Sequence, residues 1–266
     1  MELVLRPPFD EPWFADDPFV SVEELQGKVY RELEGRRTLR YEHEGQGYFV
    51  KIHRGVGWGE IIKNLLSLRL PITGADNEWH AIARFNELGL DTMTPVAFGS
   101  LGGNPARRHS FLITEELAPV TDLEELTREW LENPPPPRFR RALIRRLANI
   151  LRIMHEGGVN HRDCYLCHFL LHTPVDYKKP PRPFVIDLHR AQLRKKVPTR
   201  WKTKDVAGLY FSALHLSLSE REKLSFLRWY YGRPLKEVLS DSGHQLVAIE
   251  AKAKRTLEHH LKHHAK

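Results

Sequence analysis

Residues 161–169 read His-Arg-Asp-Cys-Tyr-Leu-Cys-His-Phe. This stretch follows residues 138–156, where apolar side chains recur at helical spacing until two glycines end the pattern. Apolar runs at 169–171 and 184–186, separated by a Pro- and Lys-rich segment, predict a hairpin with an enlarged loop. Asp187 comes just after the second run. The sequence therefore places Asp163 in a loop that follows a helix, and Asp187 directly after the second strand of a hairpin.

The part of the chain before residue 118 favours a small antiparallel sheet, which follows a Pro-rich lead-in. Short runs bounded by turn residues predict five strands, at 28–30, 38–41, 48–51, 95–98 and 111–114. Lys51 lies on the third of these strands. Helices are predicted at 60–70 and 75–88, and Glu78 falls in the first turn of the second helix.

The part of the chain after residue 118 is mainly helical in pattern. Helices are predicted at 122–130, at 138–156 and from about residue 204 onward, and four consecutive prolines end the first of them. The sequence therefore predicts an α+β fold with two lobes. The small N-terminal lobe, residues 1–117, contains the antiparallel sheet and is assigned to nucleotide binding. The larger helical C-terminal lobe, residues 118–266, is assigned to catalysis and acceptor binding.

Four chemical features occur in the order that protein kinases share: a Lys on a strand, a Glu on the next helix, His-Arg-Asp after a long helix, and an Asp past an apolar strand. Taken singly, each has a simpler reading. Lys51 could be a surface side chain, Glu78 a residue favoured by the helix dipole, Asp163 a turn residue and Asp187 a strand cap. Their shared order favours an ATP-dependent phosphotransferase with a protein-kinase-like fold.

Three stretches carry a closer resemblance: residues 161–169, Val-Ile-Asp-Leu-His-Arg-Ala-Gln-Leu-Arg at 185–194, and Lys-Asp-Val-Ala-Gly-Leu-Tyr-Phe-Ser at 204–212. They closely resemble the lipopolysaccharide core heptose(I) kinases of Gram-negative bacteria, and the resemblance covers nearly the whole chain. It implies a kinase that uses ATP and Mg²⁺ and phosphorylates a hydroxyl of the first heptose of the lipopolysaccharide inner core.

The resemblance assigns roles to the residues of the kinase-like set. Phosphoryl transfer needs neutralised phosphates, a bridging metal ion and an oriented acceptor hydroxyl. Asp163 is expected to align the sugar hydroxyl, and Asp187 to bind Mg²⁺. Lys51 is expected to contact the α- and β-phosphates of ATP, with Glu78 holding it by an ion pair. Asp205 is expected to support the backbone of the catalytic loop, although a plain helix N-cap would explain it nearly as well.

The remaining expected ATP contacts depart from the usual kinase pattern. The glycine-rich loop that covers the phosphates is missing, and Glu34-Gly35-Arg36-Arg37 stands between the first two predicted strands. The side chains of Arg36 and Arg37 are expected to replace part of that backbone cradle. Glu115 and Leu117, in the connector after the fifth strand, are also assigned to ATP binding.

The expected catalytic loop also departs from the usual kinase pattern. Five residues after the catalytic Asp, where protein kinases have a metal-binding Asn, this chain has His168. Imidazole matches Mg²⁺ less well than an oxygen ligand does, so His168 is a doubtful metal ligand that could instead touch a phosphate. His161 and Arg162 are expected to be structural.

The same loop contains Cys164-Tyr165-Leu166-Cys167-His168, which matches the C-x-x-C-H pattern of covalent haem attachment. A zinc site is a second alternative, with ligands drawn from His161, Cys164, Cys167, His168 and His172. No export signal is recognisable, and haem attachment requires an exported chain, so both cysteines are expected to be thiols in a reducing compartment.

The chain carries a formal net charge of +7, which favours an anionic partner. The segment after Asp187 is especially basic. Its Lys and Arg residues are Arg190, Arg194, Lys195, Lys196, Arg200, Lys202 and Lys204. The first four are assigned to binding of the phosphate-bearing lipopolysaccharide acceptor, although a solvated charge run would look the same. An acidic protein partner is also compatible with this charge.

Other readings remain open from the sequence. The catalytic residues would equally serve a protein kinase for Tyr or Ser/Thr, and the basic surface could bind nucleic acid on an inactive kinase scaffold, although no nucleic acid is expected for the heptose kinase. A cytoplasmic location is expected. The helix at 60–70 could make peripheral contact with the inner membrane or simply pack on the small lobe, and packing is favoured because the helix is poorly basic.

Overall fold

The computed structural model describes residues 1–33, 35–55, 57–66 and 74–264. The described chain divides into two compact units. The first contains residues 1–83, 93–117 and 188–190, and the second contains residues 84–92, 118–187 and 191–266. Sheet and helix are both well represented, so the predicted α+β class is confirmed.

Within the described ranges, the first unit is built on a six-stranded antiparallel sheet with the order β1-β5-β6-β4-β3-β2. Its strands are β1 (Glu2–Leu5), β2 (Lys28–Leu33), β3 (Arg36–His43), β4 (Gln46–His53), β5 (Pro95–Leu101) and β6 (His109–Glu115). The expectation of five strands was wrong, because β1 lies in the lead-in and pairs with β5, Val4 opposite Phe98. A four-residue strand that precedes a pair of prolines gives little local signal.

The lead-in also supplies the core of this unit. Two short helices, α1 (Pro12–Ala15) and α2 (Pro18–Glu24), follow β1. Phe9, Phe14 and Val22 are fully buried against the sheet face that carries Val50 and Ile52. One face of the sheet is thus closed by the chain's own N-terminal segment, so functional side chains of β4 must use the other face.

Two further helices follow β4. The first, α3 (Gly57–Leu66), begins earlier than predicted, and the end of the predicted 60–70 helix lies outside the described residues. The second, α4 (Asp76–Glu87), agrees with the predicted 75–88 helix, and Glu78 is in its first turn. The polar first turn and the following Gly89, at φ +66°, explain why this helix could be predicted well.

The second unit is mainly helical, as predicted. Its helices are α5 (Leu123–Thr127), α6 (Pro137–Glu156), α7 (Thr199–Ser212), α8 (Glu220–Tyr231) and α9 (Leu235–His264). Asp122 caps α5 through the backbone N–H of Glu125, and α5 is shorter than the predicted 122–130 helix. The last of the four prolines, Pro137, opens α6, a position where its missing N–H costs nothing.

Short strands connect these helices. They are β7 (Val120–Asp122), β8 (Val159–Asn160), β9 (Phe169–His172), β10 (Phe184–Val185) and β11 (Gln192–Leu193). The predicted hairpin is confirmed, because β9 and β10 pair antiparallel with Phe169 opposite Val185. The strands β8 and β11 pair antiparallel, with Asn160 opposite Gln192, at the two ends of the segment that contains Asp163 and Asp187.

Candidate active site

The first unit contributes a buried ion pair. Lys51 lies on β4, and its Nζ is 2.7 Å from Oε1 and 2.9 Å from Oε2 of Glu78 on α4. The Glu78 side chain is 3% exposed, whereas that of Lys51 is 25% exposed. The N-terminal turn of α4 favours a carboxylate electrostatically, and a buried carboxylate requires a charged or hydrogen-bonding partner. Glu78 therefore fixes an ammonium group whose outer side stays accessible.

Arg36 and Arg37, which were expected in the loop between two strands, lie on β3 itself. The register of β3 against β4 places the two side chains on different faces of the sheet. Arg36 pairs with His53 and Thr38 with Lys51, whereas Arg37 pairs with buried Ile52. Paired residues of an antiparallel ladder share a face, so Arg36 is on the face of Lys51 and Arg37 is on the opposite face.

The guanidinium of Arg37 donates to the backbone oxygen of Glu23 at 3.1 Å. It is also 4.0 Å from the Glu32 carboxylate. Arg37 therefore ties β3 to α2, which is a structural contact that local sequence does not reveal.

The connector carries the two other expected ATP contacts. Glu115 ends β6, and its backbone N–H donates to the oxygen of Thr94 at 2.9 Å. Leu117 is half-buried and ends the 93–117 segment of the first unit. Between them, Glu116 forms a bidentate ion pair with Arg40, with both Nε distances at 2.9 Å, which fixes the direction of the connector.

In the second unit, Asp205 organises the loop that contains Asp163. Its Oδ2 accepts from the backbone N–H of His161 at 2.7 Å, and its Oδ1 accepts from the N–H of Arg162 at 2.8 Å. Asp205 is fully buried and lies in the middle of α7, so the alternative of a helix N-cap was wrong. The helix begins at Thr199, where Pro198 and not an acidic residue occupies the cap position.

The loop is also held from other sides. His161 Nε2 is 3.0 Å from the backbone oxygen of Ile186, and burial lowers the His161 pKa. The neutral ring therefore donates to this carbonyl and connects the loop to the segment before Asp187. Arg162 has φ +74°, a conformation that costs a non-glycine residue of order 1–3 kcal/mol and persists only where its surroundings impose it.

Asp163 and Asp187 are, unlike the buried Asp205, partly exposed acidic residues of this region. The Asp163 side chain is 16% exposed, and its Oδ1 is 3.8 Å from Nζ of Lys204 on α7. The Asp187 side chain is 34% exposed, and its backbone adopts φ +60°, a second strained conformation. Both carboxylates are accessible enough to reach a ligand, and both sit on backbone that the surrounding structure constrains.

His168 lies between the two carboxylate residues. Its Nδ1 is 2.6 Å from the backbone oxygen of Asp163, and its Nε2 is 3.6 Å from Oδ2 of Asp187. A carbonyl oxygen can only accept, so Nδ1 donates to it and Nε2 is turned toward the Asp187 carboxylate. This arrangement offers a nitrogen and an oxygen donor side by side. The carboxylate suits Mg²⁺, and the imidazole suits softer divalent ions better.

The expected acceptor residues do not all belong to one unit. Arg190 is half-buried and is grouped with the first unit, next to His189, whose backbone oxygen accepts from Asn77 at 2.9 Å. Arg194, Lys195 and Lys196 are exposed and belong to the second unit.

Both cysteines of the loop are free thiols. Burial raises the pKa of Cys164, and burial together with nearby Glu124 and Asp122 raises the pKa of Cys167 to about 12. Among the residues that the structure describes, no group of three or more His, Cys, Asp and Glu side chains is arranged to hold a metal ion, so the zinc alternative is not supported. A magnesium site with one or two protein ligands, completed by phosphates and water, would not form such a group.

An apolar cavity of about 290 Å³ lies inside the second unit. It is partly open to solvent and is lined mainly by α6, α7, α8 and α9, with Leu143, Leu147, Leu209, Leu227 and Ile249 among its apolar residues. Sequence reasoning missed this cavity, since amphipathic helices predict a core but do not tell whether the core is filled.

The α+β fold, with the Lys51–Glu78 pair in the first unit and Asp163 and Asp187 in the second, defines a class of protein, an ATP-dependent phosphotransferase with a protein-kinase-like fold. A solved structure described as WaaP in complex with acyl carrier protein superposes with a TM-score of 0.84 at 54% identity, covering 96% of this chain and 99% of that one. The model of the Lipopolysaccharide kinase (Kdo/WaaP) family matches residues 20–230, and the chain belongs to this family.

Two curated relatives are similar over nearly their full length. The lipopolysaccharide core heptose(I) kinase WaaP of Pseudomonas aeruginosa is 58% identical over 259 residues, covering 97% of each chain. The protein of the same name from Escherichia coli is 52% identical over 255 residues, covering 96% of each chain. The resemblance drawn from the loop and hairpin sequences is confirmed. These relatives support the heptose kinase reading and not the protein kinase or nucleic-acid readings.

Proposed function

We propose that this chain transfers the γ-phosphoryl group of ATP to a hydroxyl of the first heptose of the lipopolysaccharide inner core. The observation that carries this proposal is full-length identity of 58% to a heptose(I) kinase. The buried Lys51–Glu78 pair and the constrained loop around Asp163 supply the chemistry that such a transfer needs.

The proposed reaction forms a bond between the heptose oxygen and the γ-phosphorus and breaks the bond from that phosphorus to the leaving ADP oxygen. Asp163 accepts the hydrogen bond of the attacking hydroxyl and takes its proton as the new bond forms. Lys51, held by Glu78, neutralises the α- and β-phosphates. A bound Mg²⁺ ion supplies further charge neutralisation on the phosphates, and Asp187, with His168 beside it, would hold that ion.

Other residues are proposed to bind the two substrates. Arg36 shares the sheet face of Lys51 and is the better candidate of the two arginines for an ATP phosphate. Glu115 and Leu117 lie in the connector, where backbone groups can contact the base. The acceptor is assigned to a basic group made up of Arg190, Arg194, Lys195 and Lys196, whose attraction to acceptor phosphates falls with rising salt.

The deciding experiment incubates the purified chain with Mg-ATP and a lipopolysaccharide acceptor that lacks core phosphate, followed by mass analysis of the sugar. A mass gain of one phosphate on the heptose is expected, and Asp163→Ala should abolish it. Peptides with Tyr, Ser or Thr serve as competing acceptors. Preference for peptide, or no transfer to sugar by wild type, would overturn the proposed function and leave the family assignment intact.

A second proposal concerns a protein partner: this chain binds acyl carrier protein. The solved relative is described in complex with that protein, and the net charge of +7 suits an acidic partner. The cavity in the second unit supplies a specific reason, because its apolar lining matches an acyl chain.

Calorimetry with acylated and unacylated carrier protein tests this partner. Tighter binding of the acylated form is expected, because only that form buries apolar surface in the cavity. Leu147→Trp, which fills the cavity, should remove the difference, whereas Leu131→Trp at a 62% exposed position should keep it. Equal binding of both carrier forms by wild type would contradict the role of the cavity.

The location proposed is the cytoplasm, with peripheral contact at the inner membrane. In the described part of the chain, no helix has the length and apolar character needed to span a bilayer. On α3, Ile61 is buried, while Trp58, Ile62 and Leu66 recur every four residues and are 54%, 52% and 81% exposed. Co-sedimentation with anionic vesicles should weaken in Ile62→Ser, whereas no sedimentation of wild type would refute the contact.

A further inference from the structure

Lys204 occupies a defined position beside the catalytic loop. It lies on α7 one residue before Asp205, and its ammonium is 3.8 Å from Oδ1 of Asp163. Three residues earlier on the same helix face, the Trp201 ring lies 5.9 Å from this ammonium. The Lys204 side chain is 25% exposed, so its charged end is only partly hydrated. The ammonium is therefore directed to the place where Asp163 acts.

Two contacts fix this position. The Asp205 carboxylate holds the backbone N–H groups of His161 and Arg162, so this turn of α7 and the loop are tied together at 2.7 and 2.8 Å. The Arg162 guanidinium lies 5.4 Å from the centre of the Trp201 ring. The backbone of Lys204 therefore keeps its place beside the loop unless these buried charge-assisted hydrogen bonds break, whereas the Lys204 side chain can still turn.

The loop itself lacks a cation for the transferred group. From Asp163 to Phe169 it contains no Lys and no Arg, and the preceding Arg162 lies against Trp201. During transfer, charge spreads over the three equatorial oxygens of the phosphoryl group while it moves toward the acceptor oxygen. A positive group near the residue that holds the acceptor is needed to stabilise that charge.

We propose that Lys204 is a catalytic residue that contacts the phosphoryl group in transit and stabilises its equatorial oxygens. This inference rests on the proposed function, since it assigns a role in the same transfer. Without ATP, the ammonium pairs with Asp163. As the heptose oxygen bonds to phosphorus, the bond to ADP breaks and Asp163 takes the proton, the ammonium shifts its contact to the phosphoryl oxygens and keeps its own protons.

A purely structural role would have Lys204 act only by holding Asp163. The two roles differ in their sensitivity to the chemistry of the transferred group. Replacing ATP by its γ-thio analogue puts a weakly accepting sulfur on that group and leaves Asp163 and the acceptor hydroxyl unchanged. If Lys204 contacts the transferred group directly, it contributes to the ratio of the rates with the two nucleotides. If Lys204 acts only by holding Asp163, it does not affect this ratio.

The experiment measures kcat, KM for ATP and the ratio of ATP to γ-thio-ATP rates in the wild type, Lys204→Ala and Lys204→Arg. The matched control is Lys179→Ala, which removes a surface Lys that lies 3.5 Å from Asp176 and is 80% exposed. For Lys204→Ala, we expect kcat to fall about 100-fold, as for the loss of one transition-state donor, with KM little changed. The ratio of the ATP rate to the γ-thio-ATP rate should move toward one. Lys204→Arg should restore part of kcat and part of this ratio.

An unchanged ratio in Lys204→Ala would overturn the proposal, whatever the loss in kcat, because it would show that Lys204 acts through Asp163. An unchanged kcat would also overturn it. Failure of the proposed function looks different, since wild type would then phosphorylate no heptose. In that case the rates of hydrolysis of ATP and γ-thio-ATP are compared without an acceptor. A change in their ratio in Lys204→Ala would still support a contact between Lys204 and the transferred group. Thermal unfolding of each variant shows whether a lost rate reflects lost structure.

Discussion

Asp205→Asn tests how far one buried carboxylate supports the loop that contains Asp163. Asp205 is fully buried and accepts two backbone hydrogen bonds, from His161 at 2.7 Å and from Arg162 at 2.8 Å. A hydrogen bond to a charged group contributes about 1.5–3 kcal/mol, so the pair contributes of order 3–6 kcal/mol. Asn keeps one acceptor and turns its NH₂ group toward the other N–H. We therefore expect the free energy of unfolding to fall by about half of that, roughly 2–3 kcal/mol.

Urea unfolding followed by tryptophan fluorescence measures this change, provided that the slope with denaturant stays constant. Hydrogen exchange of a peptide spanning residues 160–163 should speed up in the variant, because the loop opens more often. The value of kcat should fall by about 100-fold, since Asp163, the proposed catalytic residue, adjoins the loosened backbone and small displacements of catalytic groups are costly.

The matched control is Asp176→Asn. The Asp176 carboxylate also accepts a backbone hydrogen bond, from Lys178 at 2.9 Å, but it is exposed. Its stability should change by less than about 0.5 kcal/mol. If Asp205→Asn were as stable and as protected from exchange as this control, the claim that Asp205 organises the loop would be refuted.

Three further outcomes are expected. Glu78→Gln should lower kcat/KM for ATP at least about tenfold and Lys51→Met more, with folding retained by circular dichroism, because the proposed reaction uses Lys51, paired with Glu78, to engage the phosphates. An unaffected Glu78→Gln enzyme would contradict this. Burial lowers the pKa of His53 to about 3, so His53 binds a proton only in the unfolded state as pH falls below about 6.5. Its contribution should reduce the free energy of unfolding by about 2 kcal/mol between pH 7.5 and pH 5, and His53→Gln should show a flatter pH dependence in urea titrations. Raised pKa values should leave Cys164 and Cys167 almost unreactive toward a thiol reagent at pH 7.5 until urea is added, and fast labelling of the native protein would contradict the raised pKa values.

Sequence patterns were most successful where one segment contains the whole signal. The helix α4 was predicted to within a residue or so, because a polar first turn and a terminal glycine bracket it. The hairpin of β9 and β10 was predicted from two apolar runs with a turn-rich segment between them. Such features depend on neighbours a few residues apart, and the periodicities of 3.6 and 2 report them directly.

Some relations between the predicted site residues could not be obtained this way. Arg36 and Arg37 are adjacent in sequence, yet the register of β3 against β4 places them on opposite faces of the sheet. His168 could not be placed from the loop sequence alone, because its two ring nitrogens face a backbone oxygen of Asp163 and the side chain of Asp187. Strand register and side-chain direction depend on partners distant in sequence.

By itself, the sequence determined the α+β class and the family, and it marked Asp163 and Asp187 as candidate site residues, because the order of motifs and short-range periodicity are written along the chain. Only the tertiary structure decided that β1 joins the sheet, that Asp205 reaches back to the loop from the middle of α7, that Lys204 lies against Asp163, and that four helices leave a cavity. Each of these depends on groups far apart in sequence that meet when buried surface and backbone hydrogen bonds are satisfied together, which no local pattern encodes.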